Sequence, residues 1–161
     1  MGADSPRPRV GHPFEYFTPG RVFRAGPSEP LGEAEIIAFG RAWDPQRFHV
    51  DPEGAKNSIY GGIIASGMHT MCIMFKLLEL AGEFGDYFEG GLGADKLKWP
   101  HPVRPGDRLS VVMEVTGARP SKSRPDCGIV TSVVTTTNQD GATVLTMVSA
   151  DLLRRAGHEA G

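Results

Sequence analysis

The stretch at residues 42–69, AWDPQRFHVDPEGAKNSIYGGIIASGMH, decides how the chain reads. Pro45 follows Asp44, and a residue before proline is pushed out of the helical region. A helix arriving at Asp44 therefore ends there, with the carboxylate at its terminus. His49 lies five positions on, the wrong spacing for one helical face. On a turn the two side chains still converge, and a carboxylate beside an imidazole is a common way to hold a water or move a proton near neutral pH. Taken singly, each reads as an ordinary turn or helix-end residue. Asp51 suits the N-cap of a short helical turn over 52–57 that opens with Pro52. Tyr60-Gly61-Gly62 then breaks the chain ahead of Ser66, a favoured N-cap for a long apolar helix. Gly67 is its first residue, with a free backbone N–H, and helix N-termini stabilise anions.

The helix that ends at Asp44 starts near Glu33. Gly32 is an acceptable N-cap, and Glu33 and Glu35 in the first turn suit the helix dipole. Ile36, Phe39, Gly40 and Trp43 recur at helical spacing. The helix from Ser66 to about Ala81 carries Met68, Met71, Ile73, Phe75, Leu77 and Leu80. Apolar residues on nearly every face predict a helix wrapped by other structure, with Gly82 as its stop. His69, in its first turn, reads as a histidine of the core or one supporting the site from behind, and not a catalyst.

The second half changes period. A short strand is expected near 21–24 and another over 92–99, with a Pro/Gly-rich turn over 100–107. Leu109, Val111, Met113 and Val115 alternate with more polar neighbours. Residues 129–137 and 143–153 are β-rich, and Asp140-Gly141 between them is a hairpin signal. Residues 119–126, with Arg119, Lys122 and Arg124, read as a longer connection. Helices first and strands after favour an α+β fold with an antiparallel sheet, curled around the buried helix. A chain of 161 residues suits one domain over 1–161, with the Pro-rich 1–13 as a loose arm.

Composition narrows the function classes. A net charge of −2 supplies no global field for nucleic acid. No run reaches the ~18 apolar residues of a membrane span, and MGADSPRPRVGHP lacks the apolar core of a secretory signal. Cys72 and Cys127 form no CxxC and read as reduced thiols of a cytoplasmic protein. His49, Asp51 and His69 match no standard metal-site spacing, so no metal is expected.

The run from Asp44 to Asp51, with Ala55 four residues later, resembles the hydratase motif of the MaoC-like family, D-x-N-P-x-H-x-D/E-x-x-x-A. Ile63-Ile64-Ala65-Ser66-Gly67-Met68 resembles the I-x-x-G-M segment at the start of that family's central helix. Pro102-Val103 followed by Gly106-Asp107 resembles its turn after the substrate-side strand. Together these cover about residues 36–116. Gln46-Arg47 stands in place of the family's Asn-Pro, keeping an amide near the site, and Trp43 argues against a simple fatty enoyl chain. The resemblance implies a hotdog fold, an antiparallel sheet wrapped around a long central helix, in a homodimer or higher homo-oligomer. It implies hydration or dehydration of a 2-enoyl thioester, with CoA as part of the substrate and no separate cofactor. Asp44 and His49 are then catalytic, and Ser66 and Gly67 bind the substrate thioester. The alternatives are a hotdog acyl-CoA thioesterase and a non-catalytic acyl-thioester-binding protein.

Overall fold

A computed structural model describes residues 11–158. Most of the expected N-terminal arm, residues 1–10, lies outside the described residues. Its last part is not loose: the His12 N–H donates to the Glu83 carbonyl at 3.0 Å, and the His12 ring stacks on Tyr16.

Strand β1 (Val22–Ala25) precedes four helices: α1 (Glu33–Trp43), α2 (Arg47–Val50), α3 (Pro52–Lys56) and α4 (Gly67–Ala81). Strands β2 (Phe88–Lys98), β3 (Ser110–Pro120), β4 (Cys127–Thr137) and β5 (Thr143–Arg154) follow. All pairings are antiparallel, in the order β1-β3-β4-β5-β2. This is the α+β architecture that the periodicity implied, and the hotdog fold that the family resemblance implied.

Local chemistry sets the helix ends. Gly32 and Asp44 cap α1, and the Asp44 N–H closes on the Gly40 carbonyl at 2.9 Å. Asp51 caps α3 by accepting the Glu53 N–H, with Pro52 in the first turn. Ser66 caps α4 by accepting the Met68 N–H at 3.2 Å, and Gly82, in the left-handed region, ends it. Such caps are each worth ~1 kcal/mol.

The core lies between α4 and the concave face of the sheet. Met74, Leu77 and Leu78 meet the inward positions Val111, Met113, Val134, Leu145 and Met147. Burying one such side chain contributes about 1.5–3 kcal/mol.

Three expectations need correction. The helix α4 is not covered on every side: Met68, Phe75 and Leu80 are 44–47% exposed, because the sheet covers one face only. Strand β2 starts at Phe88, not near Leu92; Gly90, Gly91 and Gly93 hid its beginning, since glycine is depleted in strands. Strand β3 runs through Arg119 to Pro120, so the connection to β4 is shorter than 119–126.

Candidate active site

Asp44 ends α1 and His49 lies in α2, a single helical turn where the sequence suggests a non-helical one. Gly40 lets the two elements close up. A Cβ there would lie 2.9–3.0 Å from Val50 Cγ1, His49 Cβ and the His49 carbonyl, tighter than real contacts allow. The result brings His49 Nε2 to 3.4 Å from Asp44 Oδ2. The expected convergence of the pair is therefore present.

Two further contacts orient it. His49 Nδ1 lies 2.7 Å from the Ile64 carbonyl. A carbonyl only accepts, so Nδ1 carries a proton, and Nε2 is the nitrogen turned toward Asp44. The Ser66 hydroxyl donates to Asp44 Oδ2 at 2.8 Å while its oxygen accepts the Met68 N–H. Ser66 thus ties the carboxylate to the start of α4, a link beyond its expected cap. His49 is buried and the Asp44 side chain is 30% exposed, so the pair sits at the inner wall of an opening.

Segment 63–66 is threaded between two others. The Ile64 N–H donates to the Phe48 carbonyl at 3.0 Å, and the Ala65 N–H to the Val103 carbonyl at 2.8 Å. The Pro102-Val103 turn therefore helps position the N-terminus of α4. Asp107 stiffens that turn: its Oδ2 accepts the Arg104 N–H at 2.8 Å and its Oδ1 accepts from Gln139 Nε2 at 2.9 Å.

Gly67 opens α4, and among the described residues its N–H donates to no protein group. Trp99 lies over it. The indole N–H donates to the Gly67 carbonyl at 3.0 Å, and a Cβ on Gly67 would meet the ring at 2.6 Å. Only glycine fits beneath this ring. A cavity of about 490 Å³ collects Asp44, His49, Ser66, Gly67, Trp99 and His101, with Phe48, Tyr60 and Pro102 among its other walls.

All four expected site residues line that cavity. Sequence reasoning missed Trp99, Tyr60 and His101; the only signal was a tryptophan and a histidine flanking Pro100, just before the Pro102-Val103 turn. Two expectations fail. Trp43 is 78% exposed and Gln46 is exposed, and neither lines the cavity, because each precedes or follows the Asp44 turn on its outer side. Asp51 is a helix cap, as expected. His69 is buried beside α1, its Nε2 3.5 Å from Glu35 Oε1 and its ring stacked on Phe39. Burial lowers its pKa, against the opposing pull of Glu35. Among the described residues no group of three or more His, Cys, Asp or Glu could hold a metal ion. No described helix is long and apolar enough to cross a membrane.

The chain is similar to several known proteins. The family model for the MaoC-like domain matches residues 15–138. The uncharacterized protein YdeM of Bacillus subtilis is 34% identical over 142 residues, covering 88% of this chain and 99% of that protein. The crystal structure of a MaoC-like dehydratase from Rhodospirillum rubrum is 38% identical, with a TM-score of 0.80 over 90% of this chain and 98% of that one. Mesaconyl-CoA hydratase of Haloarcula hispanica is 32% identical over 127 residues, which span 75% of this chain and 34% of the hydratase.

Proposed function

The chain belongs to the MaoC-like dehydratase family, and from that premise we propose that it adds water to, or removes it from, the C2–C3 double bond of a 2-enoyl-CoA-type thioester. The observation that carries the reading is the meeting of Asp44 and His49, Nε2 to Oδ2 at 3.4 Å, in one cavity with the unpaired Gly67 N–H. The hydratase relative supports it.

In this reading Asp44 and His49 hold the water between them. As the water oxygen bonds to C3, one of the two takes a proton from it, and the pair passes one proton on to C2, ending with as many protons as it began. Dehydration runs the same transfers in reverse. The Ile64 carbonyl confines proton exchange on His49 to Nε2, and Ser66 keeps Asp44 Oδ2 in place. The Gly67 N–H receives the thioester oxygen as enolate-like charge develops there. One such preorganised donor is worth roughly 3 kcal/mol. The chemistry runs on these side chains without a metal or redox cofactor, and CoA enters only as part of the substrate.

The working unit is a homodimer in the cytoplasm. The apolar residues Met68, Phe75 and Leu80 on α4, and Leu92 on the edge strand β2, are uncovered in the single chain. Exposed edges and patches of this kind are usually paired.

The test is incubation with crotonyl-CoA, following loss of the conjugated-enoyl absorbance alongside thiol release. Hydration without free thiol, unaffected by chelator, is the expected result. Thiol release at the same rate would replace the hydratase with a thioesterase. Tight thioester binding without turnover would leave a binding protein.

A further inference from the structure

The segment Tyr60-Gly61-Gly62-Ile63-Ile64-Ala65 carries the carbonyl that accepts from His49 Nδ1. Its first half is loose by composition. Gly61 sits at φ 67° and Gly62 follows it, and glycine has the most backbone freedom to lose on ordering. The N–H groups of Tyr60 and Gly61 donate only locally, to Ser58 Oγ at 3.2 Å and to the Ser58 carbonyl at 3.1 Å. A segment of this kind needs an outside tether if the Ile64 carbonyl is to stay in place.

The tether comes from the turn over 102–107. Arg104 Nη2 donates to the Tyr60 carbonyl at 2.8 Å, and the neighbouring Val103 carbonyl accepts the Ala65 N–H at 2.8 Å. Two consecutive residues thus grip the two ends of the segment, with Ile64 between them. Among the described residues the Tyr60 carbonyl is the only partner of the Arg104 guanidinium, and no other hydrogen bond joins residues 60–62 to a residue outside 58–65. Asp107 Oδ2 holds the Arg104 backbone in turn, at 2.8 Å from its N–H. From Tyr60, two routes lead to His49. One is the backbone to the Ile64 carbonyl. The other is a series of rings: Tyr60 meets Phe48 edge-on at 5.1 Å, and Phe48 meets His49 edge-on at 4.6 Å. The routes are joined, because the Ile64 N–H donates to the Phe48 carbonyl at 3.0 Å.

We infer that Arg104 is a positioning residue of the site: by holding the Tyr60 carbonyl it keeps the Ile64 carbonyl and the Phe48 ring against His49, so that Nε2 stays the nitrogen turned toward Asp44. This role rests on the reading of His49 as a proton-transfer group, but the placement of the ring exists without any substrate. A ring whose Nδ1 acceptor drifts carries its proton on either nitrogen. A displacement of about 1 Å in a reacting group costs up to ~100-fold in rate.

The test uses two substitutions in the full chain. Arg104→Met keeps the apolar stem and removes the donor, and Arg104→Lys returns a donor on a similar stem. With crotonyl-CoA, Arg104→Met is expected to lower kcat ~10-fold with KM unchanged within ~2-fold, and Arg104→Lys to recover most of the loss. Nitrogen-15 NMR of the neutral histidine rings, without substrate, supplies the second readout. The parent should show one His49 tautomer, with its proton on Nδ1, and Arg104→Met a mixture of both. Should Arg104→Met not fold, Ser58→Ala, which frees the Tyr60 N–H, is expected to give the same mixture to a smaller extent. A raised KM with unchanged kcat would make Arg104 a contact to the phosphates of the thioester and overturn the inference. A single tautomer in Arg104→Met, or a loss that Arg104→Lys does not recover, would overturn it as well. Failure of the parent to hydrate crotonyl-CoA would count against the proposed reaction alone, since the tautomer comparison needs no substrate and still decides the role of Arg104.

Discussion

Two histidines in this molecule share nearly every local property and differ in what holds them. His49 and His69 are each 5% exposed, and each has Nε2 near a carboxylate, at 3.4 Å from Asp44 and 3.5 Å from Glu35. They part at the other nitrogen. His49 Nδ1 donates to the Ile64 carbonyl, which fixes the tautomer and the ring plane. His69 Nδ1 is buried without a partner among the described residues, and its ring lies flat on Phe39, interplanar angle 2°. Their acids differ too. Asp44 is steadied by Ser66, whereas the Glu35 side chain is 61% exposed and held by little else.

The difference teaches that a buried imidazole beside a carboxylate is not a site in itself. A proton-transfer group needs its second nitrogen occupied and its partner positioned, so that one atom alone exchanges protons with the ligand. His49 meets both conditions and lines the cavity with Gly67. His69 meets neither and serves packing between α1 and α4.

The strongest way to break this comparison is to disable the pair. Asp44→Asn, which keeps a good helix-end residue, should lower turnover ~100-fold or more with little change in stability. His49→Ala should lower it similarly, and the double variant should be scarcely worse than either single one, because the two act as a unit. Steady-state kinetics with crotonyl-CoA reads this, and an active Asp44→Asn protein would erase the distinction between the histidines.

Gly67→Ala drives a methyl group into the Trp99 ring, so the indole must move off the helix start. Turnover should fall ~10- to 100-fold through the displaced oxyanion donor, and Trp99→Ala in the same chain should recover part of it by removing the clash. Gly67→Pro meets the same ring although a first helical position tolerates proline. It therefore probes Trp99 and the N–H together.

Ser66→Ala removes both the α4 cap and the bond to Asp44. Stability should drop by ~1 kcal/mol in denaturant titration, with turnover down by about 10-fold because the freed carboxylate loses its orientation.

His69→Phe should have the smallest effect on catalysis, within ~2-fold, since the ring keeps its stacking and sheds an unpaired nitrogen. Its signature lies in pH. Burial holds the folded-state pKa below the ordinary 6.5. The contribution of neutral His69 is therefore present in full above 6.5 and is lost as pH falls through the lower folded value. Melting curves across that acid window should show a shallower decline for His69→Phe than for the parent. An unchanged slope, or a large loss of activity, would contradict the structural role.

Much of this was legible along the chain. The caps at Gly32, Asp51, Ser66 and Gly82 and the proline after Asp44 predict the ends of α1, α3 and α4. Alternation predicts the inner faces of β3–β5. These are local effects, carried by residues within a turn or a strand of one another, and so they can be read without knowing the fold. The Asp44/His49 pairing was legible for the same reason: five residues and one proline confine it.

What the tertiary structure decided lies between distant residues. The bond that separates His49 from His69 comes from Ile64, fifteen positions away, and the ring that makes glycine obligatory at 67 comes from Trp99, thirty-two away. Trp43 and Gln46 neighbour Asp44 in sequence yet stay outside the cavity, while Asp151, in a strand that reads like any other, faces a cavity on α4. No period or motif encodes which side chain from a remote element arrives at a given point. That is set by how the sheet curls and how closely α1, α4 and β2 pack, and packing is a property of the whole core.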